Sequence, residues 1–425
     1  MERRTNRRDP MKSKHWRWVR FYLNTLGMWP KAYVGEPRSK ALEYYNKFAV
    51  VQTFGALYLQ IHYIWSHRAT TSFFELGHIL ITVFLNILSN VRLQLGFDKM
   101  YGPMFKTFFN KIHLFNYEYA NEYSRKLTDK IERISLYISI YYISVLHIGI
   151  PFFNVIPWLN NYNNGAYNRD SNVTLQSSIY LANPFDTEHN LNQWVLLAAY
   201  DLYFSSVIST AVVAKDLCLF LMIFQIMGNI LILENNLKTM ARPALQEDCR
   251  ITYEGHLNKV QVEMFSEEEN SDIHEKLKRH IEQQTLIQSF THQLFERYGM
   301  IFLVTYMFHM VNGCIILLEI APGKTEAFVQ YGLLAASLFG QLITLSMILE
   351  QLYTLSDRLG DAVYSTPWEC MDTRNQKTVL LFLMRVQTPK VFKAKGLVEI
   401  GVKPMASILK TTMSYFAFLK SMNLN

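Results

Sequence analysis

Residues 194–233 read WVLLAAYDLYFSSVISTAVVAKDLCLFLMIFQIMGNILIL. Only Asp201, Lys215 and Asp216 carry charge in this stretch. As a helix it would be about 60 Å long, twice the roughly 30 Å hydrocarbon core of a bilayer. Two readings follow. Either Lys215-Asp216 is a tight connection between two spans, or 194–214 spans and 217–233 continues the same helix outside the membrane. The two readings put everything downstream on opposite sides, so this stretch decides the topology.

Charge separates them. Other apolar stretches long enough to cross lie at 48–65, 73–95, 134–156, 299–320, 327–349 and 401–419. With one long fourth helix there are seven spans. Segments 1–45, 96–130, 234–297 and 350–378 then share a side and hold twenty-eight Lys and Arg, against Arg68, Arg169 and Lys324 on the other. Basic loops stay cytoplasmic. An eighth span would send the eight basic residues of 234–297 outside. The expectation is therefore an all-α, seven-transmembrane helix bundle. Its N-terminus is cytoplasmic, its C-terminus extracellular, its helices carry long cytoplasmic extensions, and its seventh helix is broken.

Composition agrees. Of 425 residues, 50% are apolar and 18% charged, against about 25% charged in soluble domains. The mean hydropathy of +0.03 averages apolar spans with a polar layer. Four Cys exclude a disulfide-stapled domain, and none falls in a segment assigned outside. No apolar core follows the basic start, so no secretory signal is expected. The sequon Asn172-Val173-Thr174 falls in the longest outer loop, making Asn172 a glycosylation candidate.

Three parts are expected: a cytoplasmic segment 1–45; spans one to six over 46–349, with anchor helices at about 217–297; and an anchor plus seventh helix over 350–425. Residues 271–297 read as an amphipathic helix, with Ile273, Leu277, Ile281, Ile287, Phe290 and Leu294 on one face. The Glu267-Glu268-Glu269 run before it reads as a solvated loop. Residues 378–386 are apolar but too short to cross. Pro389 and Gly401 then interrupt the chain before the last span.

Catalytic chemistry is not legible. His274-Glu275-Lys276-Leu277-Lys278 begins like a zinc-protease helix, but Lys278 stands where the second His must be. There is no Walker loop, no Gly-x-Ser-x-Gly elbow and no Cys-x-x-Cys pair. No enzyme activity, metal or cofactor is expected, and the basic N-terminus reads as an orientation signal rather than a nucleic-acid site.

Residues 356–368 (SDRLGDAVYSTPW), 380–396 (LLFLMRVQTPKVFKAKG) and 409–419 (LKTTMSYFAFL) resemble, in order and spacing, the C-terminal pattern of insect odorant receptors. LGMWP at 26–30 resembles the N-terminal region of that family, so the resemblance covers essentially the whole chain. Ser414-Tyr415 without a following Gln-Phe pair favours the odorant branch over the gustatory one. The wording of the last helix leans toward moth receptors, some of which detect pheromones. The resemblance implies a ligand-gated, non-selective cation channel in which an odour-tuned subunit joins a shared co-receptor in a tetramer. The loop 234–297 lacks room for the co-receptor's insertion, so this chain resembles the tuning subunit. A G-protein-coupled chemoreceptor and a gustatory-type channel are the alternatives.

The resemblance also implies site positions. The gate near the outer end of the last helix falls on Phe418 and Met422, with Ser421 nearby; packing of Phe418 between helices is the other reading. An odorant pocket in the outer half of the bundle, among spans two, three, four and six, falls on Phe74, His78, Val145, Gly149, Phe152, Tyr200, Phe204, Ile208, Tyr331 and Ala335. For each, helix packing is the alternative role. His78 or Tyr200 would donate a hydrogen bond to an oxygen function on a small hydrophobic volatile. Asp201 is expected to face the bundle, with its partner open.

Overall fold

The computed structural model describes residues 8–71, 73–118, 120–168, 173–243, 246–253, 256–321, 325–387, 393–394 and 398–423. The stretch that opened the sequence question is one helix. The long helices are α2 (Lys40–His67), α3 (Phe73–Gln94), α5 (Glu122–Asn163), α6 (Leu191–Lys238), α7 (Glu267–Ile320), α8 (Thr325–Asp357) and α11 (Val402–Asn423). Shorter ones are α1 (Lys14–Thr25), α4 (Tyr101–Thr107), α9 (Leu359–Tyr364) and α10 (Thr373–Val386). Among the described residues, five helices (α3 and α5 to α8) are long and apolar enough to cross a membrane. The remaining long helices, α2 and α11, have 28 and 22 residues, enough to span.

With 48 residues, α6 is far longer than a bilayer core requires. Its second half, from Leu217 to Leu233, is apolar on every side because protein covers every side. Trp16, Val19 and Leu23 of α1, Phe108 and Ile112 of a single π turn, Phe290 and Leu294 of α7, Ala362 of α9 and Phe382 of α10 form one core around it. The two charges in mid-helix are each paired: Lys215 Nζ donates to the Tyr101 hydroxyl, and Asp216 accepts from Arg92. Pairing lets the helix run on where the sequence left a break open.

α7 is longer still, at 54 residues, and merges the expected amphipathic helix with the fifth span. The Glu267-Glu268-Glu269 run is not a loop but its first turn. Ser266 and Glu269 form a reciprocal capping box, and three carboxylates sit where a helix N-terminus favours negative charge. The segment before it is not a plain loop either: Gln246–Tyr253 and His256–Glu263 pair as an antiparallel hairpin. The seventh span is broken as expected, with α10 and α11 separated by a two-residue ladder between Lys393–Ala394 and Val398–Glu399.

The last helix begins at a position only glycine suits. Gly401 has φ +150° and a Cβ there would meet Glu350 Oε2 at 2.8 Å. Its N–H donates to the Tyr306 hydroxyl (3.3 Å), and the Val402 N–H donates to Glu350 (3.2 Å). α11 then packs on α7 through the buried Thr412, whose methyl lies 3.0 Å from where a Cβ on Gly313 would stand.

The bundle thus has two ends. At the anchor end α1, α4, α9, α10 and the extensions of α6 and α7 pack together, and Leu26, Met28 and Trp29 of the LGMWP segment are buried there. The loop end carries the segment 173–190. Between them, Phe48, Val51, Tyr58 and Trp65 of α2, and Tyr137, Ile148 and Leu159 of α5, are exposed on an apolar belt suited to lipid.

Candidate ligand site

A cavity of about 180 Å³ lies inside the bundle, walled by α3, α5, α6 and α8, with Phe308 added from α7. Its lining is mostly aliphatic and aromatic: Ile81, Leu85 and Leu88 from α3; Val145, Leu146, Gly149, Phe152 and Phe153 from α5; Ile208 and Val212 from α6; Leu334 and Leu338 from α8. Lining residues with free surface are Tyr141 (43% exposed) and Phe152 (47%) on α5 and Leu333 (36%) on α8. The mouth therefore opens sideways, between α5 and α8. At Gly149, beside that mouth, an added Cβ would meet nothing within 4 Å.

The roof is a strap of loop, Leu175 to Ala182, held by side chains from three helices, α3, α5 and α6. Asp201, buried in α6, accepts from the Ile179 N–H at 3.1 Å, which supplies the partner the sequence left open. Asn161 of α5 takes both sides of Gln176, accepting from its N–H (2.8 Å) and donating to its carbonyl (2.9 Å). Trp194 Nε1 donates to the same carbonyl at 2.9 Å. His78 Nε2 lies 3.0 Å from the Ser178 carbonyl and Nδ1 lies 3.2 Å from the Tyr331 hydroxyl. A carbonyl only accepts, so Nε2 carries the proton and Nδ1 accepts from Tyr331. Ile179, hung from this strap, closes the cavity from above.

The floor is polar. Arg92, fully buried, donates from Nη2 to both Asp216 oxygens at 2.9 and 3.2 Å and to Thr305 Oγ1 at 3.0 Å. Gln341, which lines the cavity, turns its amide nitrogen onto Asp216 Oδ2. Tyr142, also lining, is buried, with its hydroxyl beside Thr344.

Of the ten positions expected from sequence, Val145, Gly149, Phe152 and Ile208 line this cavity. His78 and Tyr331 meet each other in the roof, and both His78 nitrogens are committed there. Tyr200 stacks on Phe204 at 5.7 Å and accepts from Gln52, on the α2 side of α6. Phe204 is buried with Ala56 and Leu181, and Ala335 packs in the cluster of Phe308 and Leu338. The side chain of Phe74 lies outside the described residues, as do Asn172 and the side chain of Met422.

The reason for the split is geometric. Residues four apart on a helix differ by about 40° in direction, so a row such as 200, 204, 208 drifts around the helix. The 145, 149, 152 row, stepping four then three, stays on one face. The cavity also sits about one to three turns deeper in α3 than His78. Missed residues include Tyr142, Ser209, Phe308 and Gln341. A signal for the floor was present: Arg92 and Asp216 are opposite charges within apolar spans, where charges pair.

On α11 the exposed face carries Lys410, Ser414, Tyr415 and Phe418, which line a shallow groove. Phe418 is 60% exposed rather than packed between helices of its own chain. Ser421, also exposed, donates back to the Phe418 carbonyl at 2.6 Å. Described cysteines 218, 314 and 370 are free.

Comparison with known proteins closes the assignment. Two relatives from Drosophila melanogaster align locally. The sequence designated odorant receptor 85d is 29% identical over 96 residues, which is 22% of this chain and 23% of its own length. Odorant receptor 42a is 34% identical over 68 residues, 16% of this chain and 17% of its own. The alignments thus span under a quarter of those receptors. The fold matches end to end. The insect olfactory receptor OR5 from Machilis hrabei superposes with a TM-score of 0.73 at 15% identity, covering 95% of this chain and 96% of that one. The same receptor in complex with eugenol gives 0.72 at 14% identity, with 96% and 97% covered. A model of the 7tm odorant receptor family matches residues 101–413. The chain is a multi-pass membrane protein with a seven-helix fold, and it belongs to the insect odorant receptor family, which is not an enzyme class.

Proposed function

We propose that this chain is the odour-tuned subunit of a heteromeric, ligand-gated, non-selective cation channel in the plasma membrane. It assembles with a co-receptor and opens on binding a small hydrophobic volatile. The N-terminus and the anchor end lie in the cytoplasm and the C-terminus outside, as the basic-residue partition supports. Residues 1–45 form the cytoplasmic segment, 46–349 the ligand-binding spans with their anchor, and 350–425 the anchor and pore helix. The observation that carries the reading is the free face of α11. A membrane helix whose Lys410, Ser414 and Phe418 are exposed and line one shallow groove suits a water-filled axis shared by several subunits. Phe418, with Ser421 and Met422, is the proposed gate: an apolar ring blocks ions by dewetting.

Ligand binding occupies the cavity under the 175–182 strap. Its walls offer apolar surface for burial, and the eugenol complex of the Machilis receptor supports a small volatile as ligand. Binding opens the channel only in so far as the ligand contacts the open state better than the closed one.

The test is electrical. The chain is expressed with and without a co-receptor and challenged with volatile panels. Odour-evoked cation current independent of G-proteins is expected; a current that survives only through second messengers sinks the proposal. Epitope tags on live cells check orientation, with surface staining expected at the C-terminus only. Phe418→Ala, with the co-receptor unchanged, should raise spontaneous opening or alter permeation.

A further inference from the structure

We infer that Lys410 is a cation-repelling charge in the permeation path, so that each copy of this subunit lowers the cation conductance of the channel it joins. This rests on α11 lining the shared axis, as proposed above. At about 100° per residue, positions stepping four then three along a helix keep to one face. On α11 that row is Lys403, Ser407, Lys410, Ser414, Ala417 and Ser421, and each is exposed. Phe418 adjoins it in the same groove as Lys410 and Ser414. Thr412, nine residues beyond Lys403 and so about half a turn away in direction, is buried against α7. The face opposite the packed one is thus a polar stripe, unlike the apolar exposed faces of α2 and α5.

The charge on this helix has one sign. α11 carries Lys403, Lys410 and Lys420 and neither Asp nor Glu. Lys403 shares the first turn with Glu350, which accepts from the Val402 N–H. Lys410 stands about 12 Å further along, and Phe418 about 12 Å beyond that. The Ser414 hydroxyl donates back to the Lys410 carbonyl at 2.9 Å and Ser421 to that of Phe418 at 2.6 Å, so those protons stay within the helix. What Lys410 adds to the stripe is a full positive charge on a side chain turned to the axis. Charged side chains around a pore select ions by sign. A unit charge about 7 Å from an ion's path in water changes the local cation concentration by about threefold. Several copies around one axis multiply that factor, so conduction depends on what the partner subunit places at the same level.

The experiment uses the full-length chain with a co-receptor in cells, with sodium as the permeating ion. Single-channel conductance is read from spontaneous openings and from those evoked by the volatile panels, since it does not depend on what opened the pore. Lys410→Gln should raise it about two- to threefold at about 10 mM salt, where the Debye length is about 30 Å. That gain should vanish at about 1 M salt, where the length is about 3 Å. Lys410→Arg should match the wild type. Lys410→Cys separates charge from size in channels already assembled: a cationic thiol reagent should lower conductance, and an anionic one of equal size should raise it. Later maleimide labelling reports whether the introduced thiol reacted, and the wild-type chain, whose Cys218 and Cys370 are buried, is the reagent control. If the thiol reacts but both reagents act alike, or Lys410→Gln brings no gain or one that salt leaves unchanged, this inference falls while α11 keeps its place on the path. If channels conduct but the thiol reacts with neither reagent, this face of α11 does not meet the path and the pore-helix reading falls with the inference. If no condition yields a cation current, the channel reading itself falls.

Discussion

The guanidinium of Arg92 on α3 meets the carboxylate of Asp216 on α6 side-on, with Nε 3.2 Å and Nη2 2.9 Å from the same oxygen. Thr305 on α7 and Gln341 on α8 attach to the same pair, so four helices share one ion pair in the bundle centre. Removing one partner strands the other charge. Asp216→Ala should cost about 3–5 kcal/mol, seen as loss of surface expression and a lower melting temperature. The double variant Arg92→Met, Asp216→Leu should recover most of that loss. A double variant as unstable as the single would show that the pair is not the source.

Gly149 sits in mid-helix with open space where a side chain would go. Two substitutions there should move in opposite directions. Gly149→Ala should stabilise the chain by about 0.5–1 kcal/mol, since glycine lowers helix stability. Gly149→Phe should fold equally well yet weaken ligand binding on the order of tenfold, by filling the cavity mouth. Melting curves and ligand-induced shifts on the purified variants decide it.

Asp201 holds the roof through the Ile179 N–H. Asp201→Leu should leave that N–H without its acceptor, at a cost of about 1–3 kcal/mol. Hydrogen exchange at residues 175–182 should then accelerate while the anchor end stays protected. Asp201→Asn keeps an acceptor oxygen and should largely restore protection. Uniform acceleration across the chain would instead mean global destabilisation.

Two histidines at the anchor end predict a pH dependence. Burial holds His15 down at about 4 and His113 down at about 3. His113 Nδ1 accepts from the Phe115 N–H and its Nε2 has no partner among the described residues, so the neutral ring is the one accommodated. His15 Nε2 stands 3.7 Å from Glu132, too far for a strong charge-assisted bond. Both folded values lie below the unfolded value near 6.5. Their contribution is therefore complete above pH 6.5 and is lost as pH falls toward 4 and then 3. On unfolding near pH 5 the two histidines should take up close to two protons, while Glu132, beside His15 and held up at about 7 by burial, releases about one, for a net uptake of about one. His15→Gln should lower that net uptake by about one proton, to near zero, measured from the slope of melting stability against pH.

The global frame was readable from sequence because it rests on bulk properties. Apolar runs set the spans, and the basic-residue count chose one helix over two at Lys215-Asp216. The merged α7 was half visible: Ser266 and Glu269 spell a capping box, but a run of three glutamates invites a loop reading. The hairpin at 246–263 was missed although Cys249, Ile251 and Tyr253 alternate with polar residues, as do Val260 and Val262. Short strands give weak local signals beside long helices. The cavity was legible by helix but not by residue. Which face of a helix looks inward depends on its rotation, and a four-residue row drifts off that face within two turns. That drift separates Ile208, which lines the cavity, from Tyr200, which does not.

The sideways mouth between α5 and α8 has one more consequence. If the proposed ligand binds there, a cavity that opens through a lipid-facing belt would draw it from the hydrocarbon phase rather than from water. The concentration the receptor samples is then the aqueous one multiplied by the membrane partition coefficient. Potency measured against the aqueous dose will rank volatiles partly by lipophilicity. Washout will follow the membrane's own reservoir, so the slowest signals to decay need not come from the tightest binders.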